Sequence, residues 1–155
     1  MKAYISMPKN TSIRKKNILV EYIYKRLNEL APKENTLVDW WTQSTAYNTA
    51  SIETSDIIYV YIPSNKTYHD NDTYCFVGKG QSSEVDLCQE EGKDFIFLLH
   101  DIDTDCITEC KFVHSTPEDY DDWKEKYTKI WIEPIMGTEK EEEVEFINNF
   151  NHLML

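Results

Sequence analysis

Glycine and basic side chains are scarce in this chain, and both shortages narrow what it can be. Four glycines and five prolines in 155 residues leave little room for long linkers, so a single domain over residues 1–155 is expected. No run of 18 or more apolar residues occurs, and the chain offers no candidate for a membrane-crossing helix. Its first residues, Met1-Lys2-Ala3-Tyr4-Ile5-Ser6-Met7-Pro8, lack the extended apolar core and the cleavage site of a secretory signal, so a cytoplasmic location with no membrane partner is expected. Sixteen Lys and Arg stand against 28 Asp and Glu, a net charge of -12. That balance disfavours broad contact with a nucleic acid polymer. A single phosphate needs only a helix N-terminus and one or two basic groups, and stays possible.

Cysteine and histidine are also few. Cys75, Cys88, Cys106 and Cys110 suggest no disulfide framework. Cys106 and Cys110, with His100 and His114 nearby, match no strong zinc spacing. Neither a metal nor a cofactor is expected. No Ser-His-Asp order and no phosphate-loop Lys-Ser/Thr pair is present, which disfavours a hydrolase triad and an NTPase. No repeat or low-complexity segment occurs.

What is present is an alternation of strand-like and helix-like segments. Residues 2–7 read as a strand. Leu19, Ile23, Leu27 and Leu30 recur at helical spacing within residues 13–30, after possible caps at Asn10, Thr11 and Ser12. A short strand over 36–41 and a short helix over 46–53 follow. Residues 56–62 are almost continuously apolar, the pattern of a strand buried on both faces. Residues 64–77 read as a long polar loop. The spacing then predicts a helix over 82–91, capped by Gly92 in a left-handed conformation, and a strand over 94–99. A polar insertion from 101, a helix starting at Thr116-Pro117-Glu118-Asp119, a fifth strand over 129–132 and a last helix from 138 complete the expectation. Strands alternating with helices predict an α/β domain, a three-layer sandwich around a mostly parallel five-stranded sheet.

One segment stands out for chemistry. Gly78-Lys79-Gly80-Gln81-Ser82-Ser83-Glu84 lies between two strands and opens a helix, an arrangement that forms ligand sites in open α/β sheets. Glu84 is expected in that helix's first turn. The same region carries aromatics, Trp40, Trp41, Tyr47, Tyr68, Tyr74 and Phe76, able to stack on a base at about 1–3 kcal/mol each.

Four pieces together resemble the nucleoside 2-deoxyribosyltransferase superfamily: Tyr4-Ile5-Ser6-Met7-Pro8, the strand opened by Ser55 and Asp56, the Gly80-to-Cys88 segment with its small residues before Glu84, and the strand after Gly92-Lys93-Asp94. The resemblance covers about residues 2–100. It implies a flavodoxin-like or Rossmann-like fold and a homo-oligomer. It also implies cleavage or exchange of the N-glycosidic bond of a 2-deoxyribonucleoside or its 5′-monophosphate, with Glu84 as the nucleophile. A carboxylate suits that role because the transition state is oxocarbenium-like. Where relatives place a base-binding Asp, eight residues before Asp56, this chain has Asn48. Where several place a second Asp, six residues before Glu84, it has Gly78. Asn48 can hydrogen-bond a base but cannot be a general acid. Asp70 or Asp72 is the candidate replacement carboxylate. Ser6, Met7, Ser12, Arg14, Asp56, Gly78, Gly80, Ser82, Ser83, Trp41 and Tyr47 are the expected substrate contacts. Ser12, Arg14, Ser82 and Ser83 would hold a 5′-phosphate, with Lys15, Lys16 and Lys79 as further anion contacts. Two other readings share this pattern: a nucleotide-binding protein that senses or sequesters its ligand without turnover, and a TIR-like NAD glycohydrolase.

Overall fold

The computed structural model describes residues 1–33, 35–64, 73–118 and 127–135. In chain order the elements are β1 (Lys2–Ser6), α1 (Ile13–Leu30), β2 (Leu37–Trp40), α2 (Thr45–Thr54), β3 (Ile57–Ser64), β4 (Thr73–Val77), α3 (Lys79–Glu91), β5 (Asp94–Asp101), β6 (Cys106–Glu118) and β7 (Tyr127–Pro134). The fold is α/β. Its seven strands form one mixed sheet in the order β2-β1-β3-β5-β6-β7-β4, where five mostly parallel strands were expected. No helix among the described residues is long and apolar enough to cross a membrane.

The chain divides into two compact units. The first comprises Met1–Val60 and Gly80–Phe95, and the second Tyr61–Lys79 and Ile96–Leu155.

In the first unit β1 pairs in parallel with β2 and with β3. The register aligns Tyr4 with Asp39 and Ile58, and Ile5 with Trp40 and Tyr59. Because side chains alternate along a strand, Tyr4, Ser6 and Asp39 share one face, and Ile5 and Trp40 the other. Asp39 bonds to Ser51 and Tyr47 of α2, and Tyr4 bonds to Glu84 of α3, so those helices lie on the first face. On the second face Lys16 of α1 sits 4.5 Å over the Trp40 ring. Of the expected apolar stripe of α1, Leu19, Ile23 and Leu27 are fully buried, whereas Leu30 at the helix end is 51% exposed. Ser12 caps that helix by accepting the Lys15 N–H at 3.2 Å.

Helix α3 ends in a Schellman motif. The Lys93 N–H reaches Cys88 O at 2.8 Å, the Gly92 N–H reaches Gln89 O at 3.3 Å, and Gly92 has φ 67°. The expected left-handed cap is therefore present. Lys93 Nζ then donates to Glu53 O at 2.8 Å and Ser55 O at 3.0 Å, satisfying carbonyls at the end of α2. A Cβ on Gly92, Gly78 or Gly80 would meet nothing within 4 Å. Of these three, only Gly92 needs glycine, and for its backbone alone. Gly92→Ala is expected to destabilise by about 1 kcal/mol. Gly80→Ala, inside a helix with ordinary φ, is expected to stabilise by about 0.5–1 kcal/mol. Urea denaturation of the two variants checks both signs.

The second unit departs most from expectation. Residues 101–105 are a hairpin turn rather than the start of an insertion. Asp105 N–H donates to Asp101 O at 2.7 Å, and Asp103 N–H to Asp101 Oδ1 at 2.9 Å. A turn this short joins strands only antiparallel, and β6 duly pairs with β5, Asp101 opposite Cys106. The expected helix start at Thr116-Pro117 is instead the end of β6, with Thr116 opposite Lys129 and Pro117 opposite Thr128. Pairing along thirteen residues of β6 outweighs the local helix-start signal. The strand expected at 129–132 is β7, longer and antiparallel to both neighbours. Part of the expected 64–77 loop is β4, paired with β7 from Thr73 opposite Ile132 to Val77 opposite Thr128. The expected last helix lies outside the described residues.

A polar chain runs through this unit's core. The Tyr61 hydroxyl and His100 Nδ1 are 2.5 Å apart, and His100 Nε2 is 2.9 Å from Asp105 Oδ1. Tyr61 and His100 are fully buried, whereas the Asp105 side chain is 38% exposed. Asp105 holds φ 62°, the single non-glycine residue with positive φ among the described residues. On the half-buried side of β4 and β7, Lys129 Nζ lies 4.6 Å from the Tyr74 ring centre and 4.9 Å from that of Trp131.

Candidate functional site

The chemistry concentrates in the first unit, where α3 faces β1. Helix α3 begins at Lys79, three residues before the expected start. Glu84 therefore lies in its second turn rather than its first, and the helix dipole is not what governs it. Gln81 and Glu84, one turn apart, instead point at the C-terminal half of β1. Gln81, buried, donates to Ser6 O at 3.3 Å. Glu84 Oε2 accepts the Tyr4 hydroxyl at 2.9 Å.

The other carboxylate oxygen is different. Glu84 Oε1 and Ser6 Oγ are both buried and neither has a hydrogen-bond partner. The Ser6 hydroxyl lies near enough to favour the charge on Glu84 without closing a hydrogen bond. A buried polar atom left unmatched costs about 1–3 kcal/mol, so two side by side call for an explanation.

Burial raises the Glu84 pKa above its ordinary 4.5, and the nearby Ser6 hydroxyl and the hydrogen bond from Tyr4 only partly oppose it. Burial, then the charges of Glu84 and Asp39, push the Tyr4 hydroxyl upward, so it remains a donor at any working pH. Cys88, one turn beyond Glu84, is pushed up to about 12, first by burial and then by the Glu84 charge. All three shifts describe a dry, negatively charged environment. Among the described residues no group of three or more His, Cys, Asp or Glu is arranged to hold a metal ion.

Asp39, on the same face as Tyr4, carries the second carboxylate. Its Oδ2 accepts the Tyr47 hydroxyl at 2.5 Å and the Ser51 hydroxyl at 2.8 Å, and its Oδ1 accepts the Trp40 N–H at 3.0 Å. Burial works against its charge, but those donors prevail and its pKa falls below the ordinary value.

Comparison with protein-family models, curated proteins and solved structures finds no match to this chain. The site therefore stands on its own geometry.

Several expected contacts are committed elsewhere. Asn48 is buried and clamps Thr42: its Oδ1 accepts Thr42 N–H at 2.9 Å and Thr42 Oγ1 at 3.0 Å, and its Nδ2 donates to Thr42 O at 2.8 Å. Asp56 binds the Lys2 N–H at 2.8 Å, at the start of β1 and the opposite end of that strand from Ser6. Ser82 and Ser83 are the fourth and fifth residues of α3, past the exposed N–H groups of its first turn, because the helix starts early. Ser12 is spent on the α1 cap. Arg14 is exposed and has interactions of its own. Tyr47 is 47% exposed with its hydroxyl on Asp39. Trp40 faces α1, away from Glu84. Met7 is buried just beyond Ser6, and Trp41 is half-buried, its N–H on Ile5 O at 3.0 Å. Gly78 ends the turn before α3 and leaves no close approach that only glycine permits. Tyr74 and Phe76 belong to β4 in the second unit. Asp70, Asp72 and Tyr68 lie outside the described residues.

The structure thus brings Glu84 and Ser6 together and adds Tyr4, Gln81 and Asp39. Tyr4 is two residues before Ser6, so strand periodicity already places both on one face. Asp39 is the single charge inside Leu37-Val38-Asp39-Trp40, a visible irregularity in an otherwise apolar strand. Nothing in the sequence marks Gln81.

Proposed function

We propose that this protein is a cytoplasmic enzyme that cleaves or exchanges the N-glycosidic bond of a 2-deoxyribonucleoside or its 5′-monophosphate, with Glu84 as the nucleophile on a flavodoxin-like parallel core. One observation carries the reading: Glu84 Oε2 is held by Tyr4, while the buried Oε1 closes no hydrogen bond and has the Ser6 hydroxyl beside it. A carboxylate anchored through one oxygen presents the other as an attacking atom, and a hydroxylated ligand would satisfy Ser6. The nucleoside 2-deoxyribosyltransferase motifs supply the substrate class.

The chemistry balances simply. Glu84 Oε1 bonds to the anomeric carbon as the carbon–nitrogen bond breaks, and that electron pair leaves with the base. The base takes a proton from water, and the resulting hydroxide attacks the anomeric carbon and restores the carboxylate. A second base attacking instead of hydroxide, and giving its ring N–H proton to that hydroxide, gives exchange. A substrate must first part the side chains that cover Oε1.

The experiment incubates the protein with deoxynucleosides and their 5′-monophosphates, with and without an acceptor base, and follows free base by chromatography. Release or exchange is the expected result. Tight binding without turnover would instead identify a nucleotide-binding protein, a reading that fits Asn48, which is no general acid and is largely committed to Thr42.

The pH dependence follows from the site. Glu84 must be ionised to attack, so kcat/KM should rise along an acid limb centred above 4.5. Tyr4→Phe removes a donor that favours the charge and should move that limb to higher pH. A limb that stays in place in Tyr4→Phe would separate Glu84 from the rate.

A further inference from the structure

We propose that Asp39 is a second working carboxylate of this site: fixed in place by hydrogen bonds from Tyr47, Ser51 and the Trp40 N–H, it stabilises the positive charge that forms on the sugar as the glycosidic bond breaks. This rests on Glu84 being the attacking group.

Placement comes first. Asp39 is the parallel neighbour of Tyr4, and both project from the face that carries Glu84. Tyr4 is thus flanked by two carboxylates, one bonded to its hydroxyl and one beside it in the sheet. The charge of Asp39 also reaches Tyr4, as a smaller influence behind burial and Glu84. The buried, unpartnered Ser6 hydroxyl and Glu84 Oε1 on the same face mark where a ligand would lie.

Protonation states divide the roles. Environments that push two neighbouring carboxyl groups in opposite directions assign them different tasks. Glu84 is raised by burial, whereas Asp39 is lowered by its three donors. A permanently charged carboxylate with its donors already in place is a poor proton donor. It is a good electrostatic partner for an oxocarbenium ion, because it needs no reorganisation when the charge appears. It also stands in for no proton donor at Asn48 or Gly78, which leaves the departing base to take its proton from water.

The competing view is that Asp39 only ties α2 to β2. Charge and tie are separable. Asp39→Glu keeps the charge and strains the tie, its carboxylate lying one methylene further out. Asp39→Asn removes the charge and keeps an acceptor oxygen. Steady-state base release by both variants is the test, with thermal melting measured alongside. Asp39→Asn is expected to lower kcat by about 10–100-fold with KM within about twofold, while Asp39→Glu loses several-fold less. Equal kcat losses in the two variants, or a kcat unchanged in a folded Asp39→Asn, would overturn the proposal.

A second measurement works without turnover. A hydroxylated pyrrolidinium carries the charge of the transition state on a five-membered ring and should bind the parent more tightly than Asp39→Asn by about tenfold. Equal affinity for the two proteins would overturn the role of Asp39 even where Glu84 proves to be the nucleophile. Absence of base release from the parent, with the pyrrolidinium difference intact, would overturn the reaction and leave Asp39 as a cation-binding group.

Discussion

Glu84→Gln is expected to abolish base release, by at least about a thousandfold, and to yield a more heat-stable protein at neutral pH. The first effect follows from the loss of the attacking atom. Glutamine can still accept the Tyr4 hydroxyl, so the geometry survives while nucleophilicity does not. The second follows from linkage. The pKa of Glu84 is raised in the folded state, so between its ordinary 4.5 and that raised value the folded chain binds more protons than the unfolded one. Stability contributed by the protonated carboxyl is present below 4.5 and is lost as the pH climbs through the folded value. Glutamine is neutral throughout and escapes that loss. Melting curves of the two proteins should converge in acid and separate near neutrality, with the variant higher. A variant that melts lower at neutral pH would show that the Glu84 charge supports the fold rather than function. Gain of stability with loss of activity is the usual signature of a strained catalytic group.

His100→Ala is expected to be the most damaging single change in the second unit, at about 3–4 kcal/mol. It removes a fully buried ring and takes the imidazole from both Tyr61 and Asp105. At this chain length that corresponds to a melting temperature lower by roughly 6–16 °C. Two milder changes divide the loss. Tyr61→Phe should cost about 1–2 kcal/mol, since it leaves one ring nitrogen without the hydroxyl. Asp105→Gly should cost less than Asp105→Ala by about 1 kcal/mol, because glycine relieves the left-handed backbone that aspartate sustains at φ 62°. Equal losses for Gly and Ala would mean that the turn stores no backbone strain.

Local pattern accounts for most of the first unit. The apolar spacing of α1, the continuous apolar run of β3 and the left-handed cap at Gly92 are each properties of a short stretch, and each can be read there. The second unit depends on pairing between distant stretches. Thr116-Pro117 carries a helix-start signal, and what overrides it is β7, which no local window contains. Tyr74 and Phe76 read as loop aromatics because their partners, Trp131 and Lys129, are more than fifty residues away. The site divides in the same way. Glu84 could be singled out by its motif, whereas the value of Tyr4 and Asp39 depends on their becoming neighbours across two strands. Asn48 shows the converse: its position suggested a base contact, but Thr42 in the loop before α2 takes its oxygen twice and one of its amide hydrogens.

The pairing of β4 with β7 also imposes an order of events on the ribosome. Thr73 waits for Ile132 and Val77 for Thr128, so the stretch Thr-Tyr-Cys-Phe-Val emerges long before its partner has been synthesised. Until then it is an apolar, uncharged segment with nothing to pair with, the kind that invites association between nascent chains. The parallel core of β1, β2 and β3 needs nothing beyond residue 60 of the pairs it makes and can form early. Translation rate and chaperone supply should therefore act on the yield of this protein through the second half of the sheet, while the region that holds Glu84 is limited only by the arrival of α3.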